Sequence, residues 1–263
     1  MAVDPSRWLT DLRGRANRPP LQPREPLAID AAVIGAIEPA LARRLVAARL
    51  PLRRVAPGWR IEGAADAGLA AIAGWLHAQG LCSRWRGELL AVVDTDGARR
   101  AAVERAAVRP LGIATHAVHL VGTSADGRWW VQQRAFDKST DPGLWDTLMG
   151  GLMVSGETTD LTLARETAEE AGLEIAELED LRRVDRLTVR RPVADGYMVE
   201  HIQVHEAALP ARLLPVNRDG EVARFECLST EALVERLHAD AFTLEAALIL
   251  AGALVRRGLL EGA

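Results

Sequence analysis

Cysteine is scarce in this chain: Cys82 and Cys227 are the only two in 263 residues, far apart and in no metal-ligand or redox spacing. A disulfide framework is therefore not the organising principle, and a reducing cytoplasm is the compartment that fits. Long apolar runs are missing too. The longest, Leu244 to Val255, has twelve residues, short of the roughly 20 that a bilayer-spanning helix needs, so it reads as a packed helix and no membrane partner is expected. The opening stretch MAVDPSRWLTDLRGRA has no apolar segment of signal-peptide type, which again points to the cytoplasm. An excess of positive charge is also absent. The formal net charge is −4 with 49% hydrophobic residues, which suits a globular chain and offers no basic surface for nucleic acid. No internal repeat or low-complexity tract is present.

What is there is enough chain for two domains, since single domains usually have about 100–200 residues. Residues 4 to 13 can form a short helix, and residues 14 to 26, GRANRPPLQPREP, form a Pro- and Arg-rich arm that breaks regular structure. Residues 27–112 read as a small α+β unit: two strands in LAIDAAVIGAIEP, a helix in ALARRLVAARL, a hairpin turning at Pro57-Gly58, and a helix in DAGLAAIAGWLHAQGL. A strand in GELLAVVD and a further helix in ARRAAVERAAV complete it. The break at Arg109-Pro110-Leu111-Gly112 opens a new β pattern covering 113–263. There THAVHLVGTSADGRWWVQQRA predicts a hairpin around Asp126-Gly127. FDKSTDPGLWDTLMGG reads as a loop, LRRVDRLTVR, YMVEHIQVHEAAL and ARFECLS as strands, and the remainder as two closing helices.

The chain is organised around GLMVSGETTDLTLARETAEEAGL, Gly151 to Leu173. Thr158, Thr159 and Asp160 offer N-cap oxygens and Gly172 stands where a left-handed stop belongs, so Asp160 to Ala171 predicts a helix. Leu161, Ala164, Ala168 and Ala171 cluster on one side of it, while Glu166, Glu169 and Glu170 at i, i+3, i+4 spacing are expected to face away from the core. Clustered acids repel one another by a few tenths of a kcal/mol per exposed pair. Two of them also lie in the last turn, where the helix dipole disfavours negative charge by roughly 0.3–1 kcal/mol. A hard divalent cation reverses the sign of both effects, because Mg²⁺ takes oxygen ligands from a few carboxylates and substrate phosphates.

The spacing Gly151, five residues, Glu157, seven residues, Arg165-Glu166, two residues, Glu169-Glu170, one residue, Gly172 and Leu173 resembles the signature box of the Nudix hydrolases. The flanking segments WWVQQRAFDKSTDPGLWDTLMGG, GYMVEHIQV and DGEVARFECLSTEALVERL look like the subgroup acting on thiamine diphosphate, related to the domain fused to thiamine pyrophosphokinase in some fungi. The leading VIGAIEP and LGIATHAVHL stretches resemble that subgroup's extra N-terminal domain. Met149 stands where many Nudix proteins have proline, and Thr167 where a bulky aliphatic residue is usual. The resemblance implies an α/β fold, a Nudix α/β/α sandwich with a mixed sheet, preceded by the smaller α+β domain.

By position, the resemblance makes Glu166, Glu169 and Glu170 ligands of Mg²⁺, for which Mn²⁺ can substitute. Glu157 supports or joins that site, and the backbone carbonyl of Gly151 completes it. Glu169, Glu170 and Glu221 are the candidate catalytic acids, Glu221 as a further ligand or as the base. Arg165 is expected to orient the acids by ion pairing, and Gly172 to end the helix. Arg134 and Lys138 are candidates to meet phosphate, and Trp130, Gln132 and His201 to touch the rest of a small-molecule diphosphate. Gln133, His116, His119, His205 and Tyr197 are candidates by location only. The expected reaction is Mg²⁺-dependent cleavage of thiamine diphosphate, or of its oxidised or toxic analogues, to the monophosphate and phosphate. The alternatives are hydrolysis of ADP-ribose, NADH or a nucleotide, and a non-hydrolytic isomerase or ligand sensor. The isomerase needs a catalytic cysteine, for which neither Cys82 nor Cys227 has an evident position. The N-terminal domain could close the cleft or mediate a homodimer.

Overall fold

The computed structural model describes residues 5–261. Helix α1 (Pro5–Ala16) covers the predicted short helix apart from residue 4, which lies outside the described residues. The smaller N-terminal domain then builds a four-stranded sheet from β1 (Glu25–Ile29), β2 (Ala32–Ile37), β3 (Leu52–Val55) and β4 (Gly58–Ile61), in the order β2-β1-β4-β3 with β1 parallel to β4. Helix α2 (Pro39–Ala47) starts on a proline, which costs nothing at a first turn whose N–H groups have no intrahelical partner. Helix α3 (Ala65–Ala78) buries Leu69, Ile72, Ala73 and Leu76 against the same core as Leu27, Ile37 and Ile61.

A hairpin of β5 (Leu89–Val93) and β6 (Arg99–Glu104) follows, where the alanine-rich pattern predicts a helix for ARRAAVERAAV. The turn decides the outcome. Asp94 Oδ1 accepts from the backbone N–H groups of Asp96 and Ala98, both at 2.9 Å, so the chain reverses and Ala101 and Val103 alternate into the core. Local turn chemistry and burial together outweigh the intrinsic helix preference of alanine, a fraction of a kcal/mol per residue. The short helix α4 (Val108–Leu111) ends at Gly112 in the left-handed region and leads into the second half.

That half is a seven-stranded mixed sheet. The order β11-β12-β7-β8-β13 joins β11 (Glu179–Val193), β12 (Gly196–Leu209), β7 (Thr115–Ser124), β8 (Trp129–Arg134) and β13 (Val222–Leu228). Two short strands, β9 (Trp145–Asp146) and β10 (Met149–Leu152), pair with β8 and β7 where the sequence predicts only loop, because two to four residues are too few to show a period of two. Strand β12 runs parallel to β7, and the other pairings are antiparallel. Helix α5 (Thr159–Ala171) covers one face over Val118, Leu120, Leu148 and Met149. The opposite face is covered by α6 (Thr230–His238), α7 (Leu244–Arg256) and also α1, whose Leu9, Leu12 and Ala16 enter the same core as Val189 and Leu250. The N-terminal helix is thus part of the larger core and does not stand apart with the arm that follows it.

Among the described residues no helix is long and apolar enough to cross a membrane. The hydrophobic run at the C-terminal end is α7, with Ile249, Leu250 and Leu254 fully buried. The two halves meet over the start of α5. Ser155 N–H donates to Leu89 O at 2.8 Å, and Arg86 Nη2 donates to Ser139 Oγ at 2.9 Å.

Candidate functional site

Thr158 begins α5 by accepting a hydrogen bond from Leu161 N, and Gly172 ends it with φ +64°. That backbone conformation suits glycine, and a Cβ there would also come within 2.7 Å of Val216 O. The buried side of the helix consists of Thr162, Leu163, Thr167, Glu170 and Ala171, whereas Leu161 is 58% exposed. Both the expected apolar side and the expectation that all three acids face away from the core are corrected here. Alanine marks neither face of a helix, so the sequence alone left its rotation open. Thr167, in place of an aliphatic residue, buries a hydroxyl that has no hydrogen-bond partner among the described residues.

The acids differ in environment. Glu170 is 2% exposed and accepts from Gln132 Nε2 at 2.9 Å and from Gly150 N at 3.2 Å, with Lys138 Nζ 3.6 Å away. Burial pushes its pKa up to about 7 against the opposing charge of Lys138. Glu166 is largely buried, and burial followed by the neighbouring Glu170 charge pushes it up to about 7 as well. Glu169 is half exposed and pairs with Arg165. Arg165 also holds Glu157 through both carboxylate oxygens, at 2.7 and 2.9 Å, and Glu166 at 2.9 Å. These contacts keep Glu157 below the usual carboxylate range, so Arg165 acts as the hub of the acidic cluster and does not line the cavity.

Gly151 on β10 faces the Glu166 carboxylate so closely that a Cβ would stand 2.0 Å from Glu166 Cδ. Gly151→Ala should therefore displace that carboxylate. The expected result is loss of divalent-ion binding by titration calorimetry with a modest stability cost, about 1–3 kcal/mol for overpacking; unchanged ion affinity would show that Glu166 is not needed in this position.

Glu166, Glu170, Gly150 and Gly151 open onto a cavity of about 180 Å³. Arg134 enters it held by Asp146 and by the carbonyls of Thr140 and Asp141. Lys138 enters it paired with Glu221 at 2.6 Å. Burial opposes ionisation of Glu221, but Lys138 outweighs it and holds the carboxyl below its usual range. Three other predicted residues fall elsewhere. Gln132 is buried behind Glu170 as its hydrogen-bond donor, Trp130 packs on the apolar cluster beneath α5, and His201 is exposed, its ring tilted against that of His116 at 5.3 Å and bonded to Thr188. None of these three lines the cavity. His119 does, buried with Nδ1 2.9 Å from Thr147 Oγ1.

The sequence reading missed the far wall. The N-terminal domain contributes Arg84, Arg86, Arg105 and Arg109, and the sheet contributes Asp146 and Glu200. Only Glu200 had a visible signal: an acid in phase with Met198, Ile202 and Val204, three buried apolar residues of β12.

Hard oxygen donors suit a divalent cation such as Mg²⁺, which is commonly held by one or two carboxylates plus substrate phosphates. Glu166 and Glu170, one helical turn apart and both resisting ionisation, make such a pair beside the Gly151 backbone. Among the described residues no three His, Cys, Asp or Glu side chains converge into a complete cage. The donor set therefore fits an ion completed by its substrate.

A family model for the NUDIX domain matches residues 114–248, the whole span from β7 into α7. The chain belongs to the Nudix family. Similar curated proteins are Nudix hydrolase 24, chloroplastic, of Arabidopsis thaliana, 29% identical over 60% of this chain and 45% of its own length, and an uncharacterized protein of Saccharomyces cerevisiae, 27% identical over 59% of this chain and 51% of its own. The chain thus spans about half the length of the curated relatives it matches. A Deinococcus radiodurans crystal structure aligns at TM-score 0.51 and 24% identity, covering 65% of this chain and 98% of that one, and so shares its fold over that span.

Proposed function

We propose that the chain is a divalent-cation-dependent hydrolase that cleaves the diphosphate of a small molecule, with Mg²⁺ as the working ion and thiamine diphosphate or an analogue as the substrate. The observation that carries this reading is the pair of reluctant carboxylates, Glu166 and Glu170, opening with Gly151 onto a cavity lined by Arg134 and Lys138. The thiamine-type substrate rests on the sequence resemblance alone.

In this arrangement Glu166, Glu170 and the Gly151 carbonyl would hold the ion, with Glu157 and Glu169 tied to the same cluster by Arg165. A bound divalent ion would polarise the phosphoryl oxygens and lower the pKa of a water. Arg134, already fixed by Asp146 and two carbonyls, needs little ordering to meet a phosphate oxygen. Lys138 supplies a second positive charge. Glu221, kept ionised by Lys138, is the group able to take a proton from the attacking water, and the N-terminal domain closes the cavity from above. Charge placed in advance where the reaction needs it accounts for most of the rate gain.

The test is kcat/KM with Mg²⁺ on thiamine diphosphate, oxythiamine diphosphate, ADP-ribose and NADH, resolving released phosphate from released nucleoside monophosphate. Inorganic phosphate from thiamine diphosphate at the highest kcat/KM is expected. A preference for ADP-ribose would replace the substrate, and no hydrolysis of any of them would remove the reading.

A further inference from the structure

Glu200 carries a further inference, which rests on the reading above and deepens it. It lies on β12 in phase with the buried Met198 and Ile202, yet its side chain lines the cavity. Its described hydrogen-bond partner is the Thr115 hydroxyl, which donates to Oε2 at 3.0 Å. The arginines around it are committed elsewhere: Arg105 to Glu88 at 2.8 Å, Arg109 to Asp195 at 3.4 Å, Arg191 to Glu245 at 3.3 Å and Arg134 to Asp146 at 3.2 Å. Among the described ion pairs Glu200 has none, and the next acid, Glu245, adds negative charge of its own. Burial and that neighbour push the Glu200 carboxyl up to about 7. Arg109 and Arg105 attract it without touching it, and an inward-facing carboxylate with no direct ion pair is costly unless a donor arrives to pair with it.

Ile113, Ala117, Leu152 and Met198 give the same cavity an apolar strip among its charged residues. A carboxylate acceptor with apolar lining near it suits a flat nitrogen heterocycle with an amino group or a cationic ring, and does not suit an isoprenoid chain, which has no donor to offer. We propose that Glu200 is a specificity-determining residue, accepting from the amino or cationic nitrogen head of the substrate whose diphosphate lies at Glu166 and Glu170. The diphosphate end meets Lys138 and Arg134 while the head meets Glu200.

The experiment compares wild type with Glu200→Gln on two probes: thiamine diphosphate, which carries the head, and methyl diphosphate, which has the same reacting group without it. The glutamine variant should lose kcat/KM on thiamine diphosphate at least tenfold more than on methyl diphosphate, mainly through KM, because a site built to bind an N–H group discriminates by that group. Equal losses on both probes, as expected if Glu200 only balances Arg105 and Arg109, would overturn the proposal, as would no loss on either. Thiamine monophosphate binding by calorimetry separates this from the hydrolase reading. If wild type hydrolyses neither probe but Glu200→Gln weakens that binding tenfold or more, hydrolysis fails and head recognition stands; if wild type does not bind the monophosphate either, both fail. Should Glu200→Gln not fold, Thr115→Val, which removes the hydroxyl that holds the carboxylate in place, must show the same selective loss at smaller size, and equal losses from it count against the proposal.

Discussion

Replacing Glu170 with glutamine should lower kcat by about 10²–10⁴-fold, the range seen when a group acting on the transition state is removed, while leaving the fold intact. The amide has the same shape, and its oxygen can still accept from Gln132 Nε2 and Gly150 N, the two donors that hold the carboxylate now. Only the charge is lost, and with it a ligand for the ion and a partner for Lys138. Because the charge is also the costly part of burying Glu170, the variant should melt at or above the wild-type temperature in the absence of metal. Steady-state kinetics beside a thermal melt reads both effects. Wild-type turnover in a well-folded variant would remove Glu170 from the mechanism.

Chelating the divalent ion should abolish hydrolysis and uncover a pH-dependent stability that the ion otherwise masks. Glu166 and Glu170 have folded-state pKa values pushed up to about 7 from an ordinary 4.5. A group with a raised folded pKa stabilises the fold fully below its unfolded value, and that contribution is lost as pH rises through the folded value. The metal-free protein should therefore be most stable near pH 4.5 as far as this pair is concerned, and weaken up to about pH 7.5. Each shift corresponds to about 3 kcal/mol, and about 3 kcal/mol corresponds to roughly 6–12 °C of melting temperature for a chain of this size. Adding Mg²⁺ at pH 8 should restore most of it, since a ligand that binds only the folded state stabilises by mass action. Melts in chelator and in Mg²⁺ across pH 5–8 would show this. A flat metal-free profile would mean that the two carboxyls ionise without penalty and have no need of the ion.

The division between what could be read early and what could not follows the range of the interactions. The box helix has its boundaries written locally: Thr158 caps it and Gly172 stops it within the reach of their own side chain and backbone. The β7–β8 hairpin around Asp126-Gly127 and the apolar α7 are legible for the same reason, as turn chemistry and hydrophobic period are properties of adjacent residues. The ARRAAVERAAV segment is the counter-example. Its alanines favour a helix, and only the Asp94 turn together with the core waiting for Ala101 and Val103 makes it a strand.

By itself the sequence determined that acidic side chains gather at one helical end beside a glycine pair, because fixed spacing along a helix places residues 166, 169 and 170 near one another whatever the surroundings. Which of these acids is buried, that Arg165 takes Glu166 and Glu169 but not Glu170, and that Gln132 stands behind Glu170 instead of in the cavity were decided by the rotation of α5 against the sheet. The wall carrying Glu200, Arg105 and Arg109 was likewise set only when the N-terminal domain docked against β7 and β12, since distant segments meet through packing across the whole fold and local spacing carries no record of it.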